Sequence, residues 1–179
     1  GGLWGRYELL DDLRTIQSGG QTVSTSTYDS IDWAKPPSRF EGGLGNFSGM
    51  IATGSAIDFL SQYDMNDIHA HEVKLNRIMT DGIKDLPGIE IIGPQDPKQR
   101  GGICSILMKD LPAHDIAILL DEAAGVMVRS GQHCVHSWFN ARGYTNGSLR
   151  ASAYMYNTEE EARLFAETFS EAVHAFSAQ

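Results

Sequence analysis

The sequence is short of cysteine, of positive charge and of long apolar runs, and each shortage narrows what the protein can be. Its two cysteines, Cys104 and Cys134, cannot build a disulfide framework, so a reducing cytoplasm is the expected compartment. Lys and Arg number 14 against 23 Asp and Glu, a net charge of -9. That balance argues against a nucleic-acid surface, which needs clustered cations. No apolar stretch approaches the roughly 20 residues that span a bilayer, so no membrane partner is expected. No secretory signal pattern opens the chain, where Arg6 and Glu8 come early. No initiator Met is present either. "GGLWGRYELLDDL" enters a helical pattern at once and reads like the interior of a longer protein.

What is present suits a packed core. Hydrophobic residues make up 41% and charged residues 21% of 179 positions, enough for one ordinary domain or a domain with part of a neighbour. Leu9, Leu10 and Leu13 predict a short helix. Residues 17–30 and 34–49, rich in Gly, Ser, Thr and Pro, read as two long loops. Ile51, Ile57, Leu60 and Tyr63, among small residues, predict a buried helix. Ile68, Leu75, Ile78, Met79, Ile83 and Leu86 follow a helical period that Pro87-Gly88 stops. "IEIIG" and "GGICSILM" read as strands, and Pro112 opens a helix that ends near Gly125. "VMV" (126–128) and "SLRASAYMY" (148–156) read as further strands. Thr158 and Glu161 form a capping box for a last helix, whose Phe165, Phe169, Val173 and Phe176 share one face. The order helix, helix, strand, strand, helix, strand, strand, helix predicts an α+β layer, one sheet covered by helices.

The chemistry concentrates in "VMVRSGQHCVHSWF", Val126 to Phe139, where an apolar run gives way to Arg129, a Ser-Gly turn and a cysteine flanked by histidines. Cys104 alternates with Ile103 and Ser105 inside an apolar strand and reads as a buried structural thiol. Cys134 admits three readings: buried thiol, zinc ligand with His133 and His136, or nucleophile. Neighbouring residues rarely ligate one ion together and no C-x-x-C pair exists elsewhere, so no metal is expected. Arg129 and His133 are placed to favour a thiolate.

These residues resemble a known family. "RSGQHC" (129–134) is similar to the cysteine motif of group II cysteine desulfurases and selenocysteine lyases, pyridoxal-phosphate enzymes of the class V aminotransferase superfamily. "RASAYMYNTEEE" (150–161), "RFEGGLGN" (39–46) and "AHDIAILLDEAAGVMVRSG" (113–131) resemble family segments in the same order. The resemblance implies a fold-type-I small domain (51–179) preceded by the tail of the large domain and a dimer-facing loop (1–50). It implies Cys134 as catalytic nucleophile, with Arg150, Arg129 and His133 binding substrate. Gly43 and Leu44 would lie in the loop that meets the cofactor phosphate of the partner subunit. The implied reaction removes sulfur from L-cysteine, or selenium from L-selenocysteine, leaving alanine and an enzyme persulfide. The implied partners are a sulfur-acceptor protein of iron-sulfur assembly and a second subunit in a homodimer. The cofactor lysine of the family lies in a segment that this chain lacks, so the chain alone is expected to be inactive. The chain departs from the pattern in three places. Leu44 and Gly45 replace Thr and Pro, which removes a hydroxyl from the phosphate loop. Gln132 stands where a second His is common, and "VHSWFNARG" lacks the usual Pro. Two rivals remain at this level: another class V aminotransferase-like or carbon-sulfur lyase enzyme, and a non-enzymatic small-domain or dimerisation module.

Overall fold

The computed structural model describes residues 1–177, which divide into two compact units, one spanning Gly1–Gln62 and one beginning at Tyr63. No helix among the described residues is long and apolar enough to cross a membrane.

The first unit has little buried apolar surface. It holds helix α1 (Tyr7–Asp12), a two-stranded antiparallel hairpin of β1 (Val23–Ser26) and β2 (Ile31–Trp33), and helix α2 (Phe47–Leu60). The hairpin lies partly where a loop is expected from the Ser/Thr-rich sequence. Val23 and Thr25 favour extended backbone, and Thr27 closes the turn: its Oγ1 accepts hydrogen bonds from the N–H groups of Asp29 (3.2 Å) and Ser30 (3.1 Å). Arg39 ties the unit together, donating to the carbonyls of Ala34 and Asp11, while Lys35 Nζ bonds the Asp11 carboxylate at 2.9 Å. Helix α2 is capped by Asn46, whose side chain accepts from Gly49 N. The expectation that α2 is buried is not met. It has no buried residue, and Phe47, Ile51 and Ile57 are exposed. Apolar residues surround this helix, a pattern suited to burial on all sides, and its own unit offers no core to receive it.

The second unit is a four-stranded antiparallel sheet with helices on one face. Its strands are β3 (Ile89–Ile92), β4 (Ile103–Met108), β5 (Arg129–Gly131) and β6 (Ser148–Ser152), in the order β3-β4-β6-β5. Helices α3 (Met65–Ile83), α4 (Ala113–Ala124) and α6 (Glu159–Ser177) supply the apolar cover. Cys104, Ile106, Leu149 and Ala151 point from the sheet into that core and meet Leu75, Met79, Ile116, Leu120, Phe165, Phe169 and Val173. The Thr158–Glu161 capping box forms as expected. Glu161 N donates to Thr158 Oγ1, and Thr158 N donates to the Glu161 carboxylate. Gly125 closes α4 in the left-handed conformation, also as expected. Fully buried Asn76 on α3 reaches the sheet, and its amide donates to the carbonyls of Gly101 and Ile103.

Two elements differ from the sequence reading. The strand expected at 126–128 forms at 129–131, because the ladder is set by partners on β6 and not by the apolar run. Val126 and Val128 pack against the core without pairing in the sheet. A short helix, α5 (His136–Ala141), was not expected. Six residues are too few to show a period, and it is anchored by Phe139, which is 2% exposed.

Candidate active site

Alternation along β6 builds the site. Leu149 and Ala151 face the helices, so Arg150 and Ser148 point to the opposite face. Antiparallel pairing then sets Arg129 directly across from Arg150 and Gly131 across from Ser148. Two arginines opposite each other repel. Among the described residues neither has a carboxylate within ion-pair distance, and the Nε of half-buried Arg150 is enclosed without a hydrogen-bond partner. Such a pair is suited to an anion, and a carboxylate fits the planar guanidinium fork.

The cysteine stands beside this pair. Between β5 and α5 the chain makes a tight turn, with Val135 N donating to Gln132 O at 2.9 Å. Its two central residues, His133 and Cys134, have φ of 50° and 64°. Both lie in the left-handed region, which costs a non-glycine residue about 1–2 kcal/mol. Cys134 is exposed, and Arg129 Nη2 donates to its Sγ at 3.8 Å, which sets a guanidinium beside the sulfur. Side chains brace the turn on both sides. Gln132 Nε2 donates to Asn140 Oδ1 (3.3 Å) and Thr145 O (3.2 Å), and His133 Nε2 shares a hydrogen bond with Ser148 Oγ at 3.0 Å. At the base of the hairpin, backbone meets backbone. A Cβ on Gly147, whose φ is +74°, would collide with the Gly131 carbonyl, so only glycine fits there.

The sequence-derived residues therefore fall into two groups. Cys134, Arg129, Arg150 and His133 come together on one face and one turn of the second unit. Gly43 and Leu44 lie in the first unit. Gly43 has φ +85° and spends its N–H on Gly20 O, and Leu44 is 92% exposed and carries no polar side-chain atom. Ser148 and the Gly131–Gly147 approach carried no signal in the sequence, because both depend on which residues the β5–β6 register makes neighbours. Cys104 is fully buried, and burial pushes its thiol up despite the opposing charge of Arg100.

His133 is held below its ordinary value, first by burial and then by the positive charges of Arg150 and Arg129. The imidazole is therefore neutral at neutral pH. The unfolded chain takes up this proton first as pH falls, so the stabilising contribution is full above about pH 6.5 and is lost as pH drops toward the lower folded value. Melting curves from about pH 7.5 to about pH 5.5 should fall more steeply for the wild type than for His133→Phe. Equal slopes would mean that the His133 proton plays no part.

Residues 1–165 match the family model described as aminotransferase class-V. The chain belongs to that family. A probable cysteine desulfurase of Synechocystis is 34% identical over 99% of this chain and 42% of its own length. Two solved structures align with a TM-score of 0.82. The cysteine desulfurase CsdA of Escherichia coli is 26% identical, over 96% of this chain and 42% of its own. The apo cysteine desulfurase of Thermococcus onnurineus NA1 is 32% identical, over 95% and 42%. This chain thus spans about two-fifths of the length of the relatives it matches. The class V family is pyridoxal-phosphate-dependent, but these residues do not make a seat for the cofactor by themselves. All five lysines (Lys35, Lys74, Lys84, Lys98 and Lys109) are exposed, and none lies in the Cys134 turn or on the strands that carry the arginines.

Proposed function

We propose that this chain is the C-terminal part of a pyridoxal-phosphate-dependent cysteine desulfurase, with residues 1–50 as the tail of the large domain and 51–179 as the small domain. The observation that carries the reading is the convergence of an unpaired Arg129–Arg150 pair with an exposed thiol 3.8 Å from Arg129. Arg150 grips the substrate carboxylate through its fork, and Arg129 steadies charge on the Cys134 sulfur. The Cys134 thiolate attacks the substrate sulfur. An S–S bond forms as the C–S bond breaks, the bonding pair passes to the carbon, and a proton taken up there completes alanine, so Cys134 carries the persulfide. A cofactor held by a lysine outside these residues would supply the electron sink. The names of the relatives favour L-cysteine over L-selenocysteine as substrate. The persulfide passes to a sulfur-acceptor protein. The exposed apolar side chains of the first unit, Trp4, Ile16 and Leu44 among them, suit a segment that packs into a larger homodimeric body whose Gly43–Leu44 loop faces the partner's phosphate. The setting is the reducing cytoplasm, where the thiol persists.

Two measurements test this. The full-length enzyme given L-cysteine and then an alkylating reagent should yield a Cys134 peptide heavier by one sulfur atom. Absence of that peptide during turnover would refute the assignment. The 179-residue chain mixed with pyridoxal phosphate should give no borohydride-trapped adduct at a single lysine. A stoichiometric adduct at one lysine would mean that the chain carries its own cofactor site.

A further inference from the structure

The turn that presents Cys134 has two left-handed, non-glycine residues in succession, and such backbone persists only where surrounding contacts over-determine it. The braces available are few. Gln132 makes its two bonds at the exposed edge, where water competes. The other brace is enclosed. Ser148 is fully buried, and its Oγ lies 3.0 Å from Nε2 of His133, fifteen residues earlier in the chain. His133 is the residue immediately before the nucleophile, and it is one of the two left-handed positions. A buried hydroxyl bonded to one ring nitrogen fixes the orientation of the imidazole, and with it the backbone on which Cys134 rides.

Position on the strand adds a second argument. Ser148 and Arg150 lie two residues apart on one face of β6, a spacing of about 6.5–7 Å along a strand. The arginine that would grip the substrate and the hydroxyl that braces the nucleophile's turn are thus set by one rigid element. Arg129, which touches the sulfur, is paired with that same element. The distance between carboxylate grip and attacking sulfur therefore depends on the His133–Ser148 contact.

We propose that Ser148 is a positioning residue for sulfur transfer: its buried hydroxyl, through His133, holds the strained Gln132–Val135 turn so that the Cys134 sulfur stays beside Arg129. This rests on the reading of Cys134 as nucleophile. With the hydroxyl gone, the turn relaxes its left-handed residues and carries the sulfur away from the guanidinium, so the thiol becomes less reactive.

The test measures iodoacetamide labelling of Cys134 by peptide mass in the full-length enzyme, for wild type, Ser148→Ala, His133→Ala, the double variant and Ser148→Thr. Each single alanine variant should label roughly three- to tenfold more slowly, the range given by one net hydrogen bond. The double variant should be no slower than the singles, because both remove the same contact. Ser148→Thr, which keeps the hydroxyl, should label near the wild-type rate, and buried Cys104 should stay closed in all folded variants. Wild-type labelling in Ser148→Ala, or effects that multiply in the double variant, would overturn the proposal. Should Ser148→Ala fail to fold, the His133→Ala arm decides, and an unchanged rate there overturns it equally. Labelling does not require turnover, so the two readings fail separately. Coupled labelling with no persulfide on Cys134 would leave the Ser148–His133 brace standing and refute only the reading of Cys134 as nucleophile.

Discussion

In the full-length enzyme, Cys134→Ser should abolish release of sulfur from L-cysteine while Cys104→Ser leaves turnover largely intact. The two thiols differ in exposure and in surroundings. Cys134 is exposed, on a turn, with a guanidinium donating to its sulfur. Cys104 is fully buried among Ile106, Leu149 and Ala151, with Thr80 Oγ1 4.0 Å from its sulfur, and burial disfavours its thiolate. Serine at 134 keeps the shape but removes the thiol proposed to accept sulfur. The bound cofactor's spectrum should stay as in the wild type, since Cys134 does not hold the cofactor. Serine at 104 puts a less apolar group into the core and should lower the melting temperature instead. The assay uses L-cysteine, because the carbon–selenium bond of L-selenocysteine is weaker and breaks with less need of an attacking thiol. Full turnover of L-cysteine by Cys134→Ser would remove this residue from the reaction.

The second large effect falls on Arg150. Arg150→Lys should raise KM for L-cysteine and cut kcat/KM by about ten- to over a hundredfold, equivalent to about 1.5–3 kcal/mol for a hydrogen bond to a charged group. Lysine keeps the charge but offers a point donor in place of a planar fork. The site also loses the arrangement in which Arg150 and Arg129 face one another across the β5–β6 ladder. Steady-state kinetics read the effect directly, and unchanged values would take Arg150 out of the substrate site.

Much of the second unit was legible in advance because its signals are local. The period of α3 and the buried face of α6 follow from apolar spacing, which states which side of a helix must leave water. The capping box at Thr158 and the glycine that ends α4 are short-range backbone chemistry. The misplaced strand at 126–128, the unforeseen hairpin of the first unit and α5 share one cause. Each is fixed by partners distant in sequence or by a single anchoring side chain, and neither leaves a period to read. Helix α2 shows the converse. Its composition states a need for burial, but composition does not name the surface that provides it.

For the site, the residues by themselves marked Cys134 as the unusual thiol, with Arg129 and His133 as the cations beside it; Arg129 reaches the sulfur, whereas His133 is held neutral and bonds Ser148 instead. The family resemblance added Arg150. The tertiary structure decided what these residues do to one another. Antiparallel register set Arg150 against Arg129, strand alternation turned both from the core, and the Gly131–Gly147 approach let the hairpin close. It also made Ser148, silent in the sequence, the partner of His133. The physical reason is that a sequence encodes propensity and period over a few residues, whereas geometry between strands depends on pairing, and a one-residue slip in that pairing would turn the site into the core.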